Sequence, residues 1–286
     1  MDHVKKNKKN INKPLNLKQA LKGKLPPKKV EKSVRSFDTV GDIAIIEIPE
    51  ELRDKEKLIG KTLLGLHKNI KVVCRKAGVH QGPFRTQKLK IIAGARRKET
   101  EYKETNVRLK LNVEKCYFSP RLSTERKRVM EQVKDKEDVM IMFSGVGPYV
   151  CVIAKNRSPK KVVGVEINPV AHNYAEENAR INKLDNVELH QGDVREVVPK
   201  LGKFDRIAMP LPRSAEDFLD TALKAAKKGA VIHFYDFLHI DKFYEAKEKI
   251  KKACKSAKKQ CRILRTVKCG QFGPRIYRIC VDFRVM

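Results

Sequence analysis

Acidic side chains are scarce in this 286-residue chain: 34 Asp and Glu stand against 64 Lys and Arg, a net charge of +30. A surplus that large repels itself unless a polyanion neutralises it, which points to nucleic acid as the partner. Long apolar runs are missing too. The longest largely apolar stretches, such as 230–238, fall well short of the ~18 residues a membrane span requires. The opening MDHVKKNKKNINK lacks the apolar core of a secretory signal. Seven cysteines, an odd number, include no Cys-x-x-Cys pair, which argues against a zinc module and against a secreted disulfide framework. The histidines are scattered and suggest no metal site. These absences predict a soluble, cytoplasmic protein with no membrane association and no obligate protein partner in evidence.

What is present falls into three parts. Residues 1–32 read as a basic arm: up to Ser36 there are 12 Lys and Arg against Asp2 and Glu31, with one short helix near Leu15–Leu21 and a solvated leader as the competing reading. Residues 33–115 read as a small α+β domain. A turn feeds a strand at FDTVGDIAIIEI, a helical pattern covers Glu50–Lys68, and strand-like runs follow at Ile70–Cys74, Leu89–Ile92 and Val107–Val113. From residue 116 to 286 the rhythm changes. Short apolar runs at Val139–Phe143, Val162–Glu166, Val187–His190, Arg206–Met209 and Ala230–Tyr235 alternate with helical stretches, the signature of a doubly wound α/β sheet. Two further strand candidates, Arg262–Val267 and Ile276–Arg284, close the chain. A hairpin appended to five parallel strands predicts the class I, Rossmann-like, seven-stranded fold of the S-adenosylmethionine (SAM) methyltransferases.

Phe143-Ser-Gly-Val-Gly-Pro-Tyr149 sits where the first of those strands turns into a helix. Gly145 and Gly147 permit a tight turn and close backbone approach to a ligand. The third glycine of a dinucleotide loop is missing, since Val150 fills its place; that would hurt a pyrophosphate site but not SAM, which has no phosphate. Glu166, 21 residues after Gly145 at the end of the next strand, suits the ribose hydroxyls. Asp193, beyond the third strand, suits the adenine amino group. Each carboxylate alone reads as a surface charge. Together, at the carboxyl ends of consecutive strands, they read as a cofactor site.

Tyr117-Phe-Ser-Pro-Arg-Leu-Ser-Thr-Glu-Arg126, with FSGVGPY and GPFRTQKLKIIAG upstream, resembles the archaeal and eukaryotic tRNA (guanine-37-N1)-methyltransferase family over roughly residues 11–286. The resemblance implies a SAM-dependent enzyme acting on the guanine 3′ of the anticodon, with tRNA bound through its anticodon stem-loop. It implies Glu125 as the base that takes the N1 proton and Arg85 as the cation that neutralises O6, because attack by N1 needs both. It adds Phe118, Arg121, Phe143, Tyr149 and Pro210 to the cofactor side, Phe118 and Tyr149 as stacking rings. Lys8, Lys9, Arg96, Arg97 and Arg126 are the expected RNA contacts, with the 249–259 helix as a further basic face. A flipped base is expected to enter between the two domains.

The chain departs from the family pattern in three ways. It begins too late to contain the N-terminal domain that contacts the tRNA elbow. Ile141 stands where an Asp usually ends the first strand. Pro210-Leu-Pro replaces Asn-Leu-Pro after the fourth, which resembles the archaeal subset that also methylates a tricyclic wyosine intermediate. Two rival readings stay open: the aminocarboxypropyl transferase of wybutosine synthesis, and a non-catalytic RNA-binding protein on a degenerate SAM fold. Glu125 within SPRLSTER weighs against the first, whereas Ile141 and Pro210 keep the second alive.

Overall fold

The computed structural model describes residues 16–33, 36–79, 81–211 and 213–286, which divide into two units: 1–79 with 88–97, and 80–87 with 98–286. In the first unit two short helices, α1 (Leu17–Leu21) and α2 (Pro27–Glu31), precede β1 (Asp38–Val40), β2 (Ile43–Ile46), α3 (Glu56–Leu66), β3 (Val72–Lys76) and β4 (Leu89–Gly94). The strands lie in the order β1-β2-β3-β4 with only β2 and β3 parallel, joined by the α3 crossover. Leu52, Ile59 and Leu63 fill the space between α3 and the sheet together with Ile46, Val73 and Ile92.

The expected basic arm needs correction here. Leu17, Leu21, Leu25 and Val30 are buried in that same core, so the segment from residue 16 is part of the unit, with its lysines on the outside. Asn16 caps α1 by accepting the Gln19 N–H at 2.9 Å. Lys8 and Lys9 lie outside the described residues.

The second unit begins with a hairpin, β5 (Glu99–Glu104) and β6 (Val107–Asn112). It is joined at Thr105-Asn106, both at positive φ (41° and 62°), as the right-handed twist of a two-residue turn requires. The division between units thus falls at Arg97/Lys98 and not at 115. The physical reason is α6 (Pro169–Ile181), because β6 is tied to it. The Asn178 amide accepts the Lys110 N–H (2.7 Å) and donates to the Lys110 carbonyl (3.0 Å). Asn182, just past the helix, does the same for Arg108 (2.9 and 2.7 Å). Four residues of helix advance about 6 Å and two residues of strand about 6.7 Å, so the amides meet alternate strand residues.

The remaining elements are α4 (Ser123–Glu131), β7 (Asp138–Met142), α5 (Pro148–Asn156), β8 (Lys161–Glu166), α6, β9 (Val187–Gln191), α7 (Val194–Val197), β10 (Phe204–Met209), α8 (Leu219–Ala225), β11 (Ala226–His239), α9 (Phe243–Ser256), β12 (Cys261–Gly273) and β13 (Ile276–Val285). They form a seven-stranded sheet in the order β12-β13-β11-β10-β7-β8-β9, parallel except for β13, which runs antiparallel to both neighbours. This is the expected doubly wound fold with its terminal hairpin. The strand order reverses between β7 and β10, which places the ligand edge at the carboxyl ends of β7 to β10. Among the described residues no helix is long and apolar enough to cross a membrane.

Candidate active site

The turn from β7 into α5 is built on three left-handed residues, Phe143, Gly145 and Gly147 (φ 57°, 57° and 79°). Ser144 ties the turn to β8 through its N–H and the Val165 carbonyl (2.9 Å), and Gly147 closes it on the Ser144 carbonyl (3.0 Å). A Cβ added at Gly147 would lie 3.3 Å from the Ala175 Cβ of α6. The missing third glycine is compensated from the opposite side. A Cβ on Gly164 of β8 would come within 3.0 Å of Val150 Cγ2 and 2.8 Å of Leu189 Cδ2, so the strand provides the clearance that the helix does not. Ile141 is buried in the apolar cluster with Val139 and Val150, where a carboxylate would have cost several kcal/mol.

Glu166 ends β8 with 8% of its surface exposed. Its oxygens accept the N–H groups of Gly145 (2.7 Å) and Asn168 (2.8 Å). Burial pushes its pKa up, while backbone donors at Asn168, Gly145 and Ile167 pull it back. A carboxylate offers about four acceptor sites, so at least one remains for a ribose hydroxyl. Asn168 is fixed in turn as the N-cap of α6, and its amide donates to the Lys115 carbonyl (2.9 Å). Asp193 caps α7 through the Arg195 N–H (2.8 Å), and the Arg195 guanidinium holds it at 3.0–3.1 Å, lowering its pKa. That guanidinium lies 4.8 Å over Phe218, whose ring meets Phe143 edge-on at 4.9 Å.

Phe143, Glu166 and Asp193 therefore stand at one strand edge beside the two glycines, with Pro210 just beyond β10. Phe218 carries no signal in the sequence because it ends a short 3-10 turn, Ala215–Phe218, far along the chain from the glycine turn. The orphan buried Ser144 Oγ, the spare acceptor on Glu166 and the open space above Gly145, where only the Tyr117 carbonyl comes within 4 Å of an added Cβ, fit SAM.

Glu125 opens α4, buried at 4%. Its carboxylate accepts from Arg128 Nε and Nη2 (both 2.7 Å) and from the Tyr235 hydroxyl (2.6 Å). Arg128 also donates to Asp282 (2.6 and 3.2 Å), which takes a second cation, Arg265, and the His233 Nδ1–H at 2.6 Å. The Arg206 guanidinium donates to His233 Nε2 (3.0 Å), so the imidazole is neutral, in keeping with the downward push of burial on its pKa. Burial alone would raise the Asp282 pKa; the His233 and Arg128 hydrogen bonds override it and hold the group far below the ordinary range. His233, Cys280 and Asp282 bring three potential metal-ligating atoms within 4.8 Å, but the arginines already occupy this group.

Several expected roles do not survive. Tyr149 is buried, and its hydroxyl meets that of Tyr235 at 3.0 Å; it belongs to the Glu125 network and cannot stack on adenine. Arg126 is 2% exposed and held by Glu104 through both Nε (2.5 Å) and Nη2 (2.6 Å), so it is a structural ion pair and not an RNA contact. Phe118 packs edge-on against Tyr102 at 5.0 Å beneath that guanidinium. Arg97 pairs with Asp42. On the 249–259 face, Lys249 lies between Asp236 and Glu216, and Lys259 donates to the Leu223 carbonyl. Arg96 and Arg121 are exposed.

Arg85 belongs with the second unit and adopts φ 51°. Its guanidinium lies 5.0 Å over the Tyr117 ring. Burial lowers its pKa, and Arg278 and Arg213 nearby lower it further.

The sequence pattern described as the TRM5/TYW2 methyltransferase domain matches residues 100–264, and that of the TYW2 N-terminal domain matches residues 17–97. A tRNA (guanine(37)-N(1))-methyltransferase Trm5b from Pyrococcus abyssi is 42% identical over 251 residues, covering 87% of this chain and 74% of that protein. A tRNA (guanine(37)-N(1))/4-demethylwyosine(37)-methyltransferase Taw22 from Nanoarchaeum equitans is 34% identical, covering 86% and 98%. Among solved structures, the complex of aTrm5 and tRNALeu superposes with a TM-score of 0.86 at 33% identity, covering 99% of this chain and 82% of that one. P. horikoshii TYW2 in complex with MeSAdo gives 0.80 at 26% identity, covering 94% and 97%.

Proposed function

This chain belongs to the TRM5/TYW2 methyltransferase family, and on that premise we propose that it transfers the methyl group of SAM to N1 of guanosine 37 in tRNA, binding the anticodon stem-loop. The observation that carries the reading is the position of Tyr117. Its carbonyl stands over the Gly145 turn, its ring lies under Arg85, and eight residues later the same segment supplies Glu125.

SAM supplies an electrophilic methyl on a sulfonium. Phe143, Gly145, Gly147 and Glu166 hold it at the strand edge, with Asp193 and Phe218 toward the adenine. Glu125 takes the N1 proton. Three donors occupy it and about one of its four acceptor sites remains, and Arg128 has a second carboxylate, Asp282, on which to remain as the proton arrives. Arg85 meets the negative charge that grows on O6 as the proton departs. The test is nucleoside mass analysis of transcribed tRNA incubated with SAM: a gain of about 14 Da at guanosine 37 carries the reading. The larger aminocarboxypropyl group, the reading favoured by the TYW2-type N-terminal match, would replace it.

Pro210 and the likeness to Taw22 favour action on 4-demethylwyosine as well. Without the amide of an asparagine, the pocket has no fixed hydrogen bond that selects guanine. Pro210→Asn is expected to keep guanosine-37 methylation and to lower the relative rate on 4-demethylwyosine about three- to tenfold, one hydrogen bond's worth. Equal rates for both proteins on both substrates would remove the dual reading.

A further inference from the structure

Arg85, Arg213 and Arg278 of the second unit lie near one another without a carboxylate partner among the described residues. Arg213, just beyond the Pro210 turn, lies 5.4 Å over Phe272. Phe272 packs on Phe237 at 4.6 Å, and Arg278 lies 5.1 Å over Phe237. Arg278 also donates to the Tyr117 hydroxyl (3.2 Å), and Arg85 covers the Tyr117 ring at 5.0 Å. Guanidinium groups and aromatic rings thus form one continuous row, Arg213, Phe272, Phe237, Arg278, Tyr117, Arg85, with the two phenylalanines side by side. The row runs from the tip of the β12–β13 hairpin to the residue placed at O6.

Nothing about core packing asks for this. Phe272 is 57% exposed, an unusual position for a large apolar ring. Opposite Arg278 in register stands Gly270, where an added Cβ would meet nothing within 4 Å. The space beside Gly270 is therefore open, while Arg278 itself is only 9% exposed. Three like charges gathered with no counter-charge repel one another, a cost that an arriving anion removes. Exposed π-faces between cations are what a single-stranded nucleic acid uses, since bases stack on the rings and phosphates meet the guanidinium groups.

We propose that the Arg213–Phe272–Phe237–Arg278 row is a docking strip for the single-stranded RNA nucleotides that flank the target base, stacking a base on Phe272 and taking a phosphate at Arg213, with Arg278 behind Phe237 adding its charge. The strip deepens the reading of the chain as a tRNA methyltransferase and rests on it.

The experiment uses the full chain and transcribed tRNA, with dissociation constants measured by fluorescence anisotropy across a salt series. Phe272→Ala is expected to weaken binding about 5- to 100-fold, the range for losing one base-stacking contact. Arg213→Ala is expected to weaken it and to flatten the salt slope by about 0.7–0.9, one phosphate's share. SAM titration of each variant reports that the second unit is intact. If both variants bind tRNA as tightly as wild type while wild type methylates it, the strip is overturned and the reading of the enzyme stands. If wild type neither binds nor methylates tRNA, the underlying reading falls, and the strip with it.

Discussion

Replacing Glu125 by glutamine is expected to slow a single methyl transfer ~10²–10⁴-fold, the usual contribution of a positioned general base. The variant keeps the shape of the side chain and its bond to Tyr235, but it has no carboxylate to receive the N1 proton. Its amide also turns an N–H toward Arg128 Nε, which loses that acceptor, while Nη2 keeps the oxygen it shares with Tyr235 and Nη1 keeps Asp282 at 2.6 Å. Dissociation constants for SAM and tRNA should move by less than about threefold. The measurement is rapid quench at saturating SAM and tRNA. A variant that keeps more than about a tenth of the wild-type rate would make Glu125 an anchor for Arg128, with the proton leaving by another route.

The second large effect concerns Asp282, which is 0% exposed and serves Arg128, Arg265 and His233 at once. Asp282→Asn leaves buried cations short of a counter-charge, a loss of about 3–5 kcal/mol. In a unit of this size that corresponds to a fall in melting temperature of roughly 6–20 °C at pH 7. The pH dependence follows from the depressed pKa. The folded group stays ionised where the unfolded one, near 3.9, takes up a proton, so its stabilisation is complete above that value and is lost as pH falls below it. The gap between wild type and variant should therefore be widest at neutral pH and narrow below about pH 4. Thermal unfolding followed by circular dichroism at several pH values checks both points, and a neutral-pH difference under 2 °C would show that the network can relax around the loss.

The cofactor turn was legible because its signals are local: glycines, a strand before, a helix after, and carboxylates at the next strand ends. Where partners come from far along the chain, the reading failed. The sequence reads β11 as Ala230–Tyr235, but it spans Ala226–His239, because pairing with β13 over nine residues carries it through Asp236 to His239 and Ala226 pairs with Phe204 of β10. β5, Glu-Thr-Glu-Tyr-Lys-Glu, carries too much charge to look like a strand, and only its partner β6 makes it one. Arg126 and Arg128 are two residues apart on one helix, and composition cannot tell which faces RNA. The structure turns one onto Glu104 and the other onto Glu125, although the i,i+3 spacing of Glu125 and Arg128 was a usable hint. Tyr235 and Asp282 stand 110 residues or more from the groups they serve in this network, at Glu125 and Arg128. In the N-terminal segment, Leu17, Leu21 and Leu25 repeat every four residues, a pattern hidden by the surrounding lysines.

The asparagine pair that binds β6 to α6 has a consequence in time. The outer edge of that strand is satisfied by Asn178 and Asn182, made about 70 residues after Arg108 and Lys110. While the chain emerges from the ribosome, the β5–β6 hairpin must wait with an open edge, a state in which two strands alone are marginal and ready to pair with the wrong neighbour. The waiting strand itself carries Arg108 and Lys110 among its six residues, and that charge guards the exposed edge until the helix arrives.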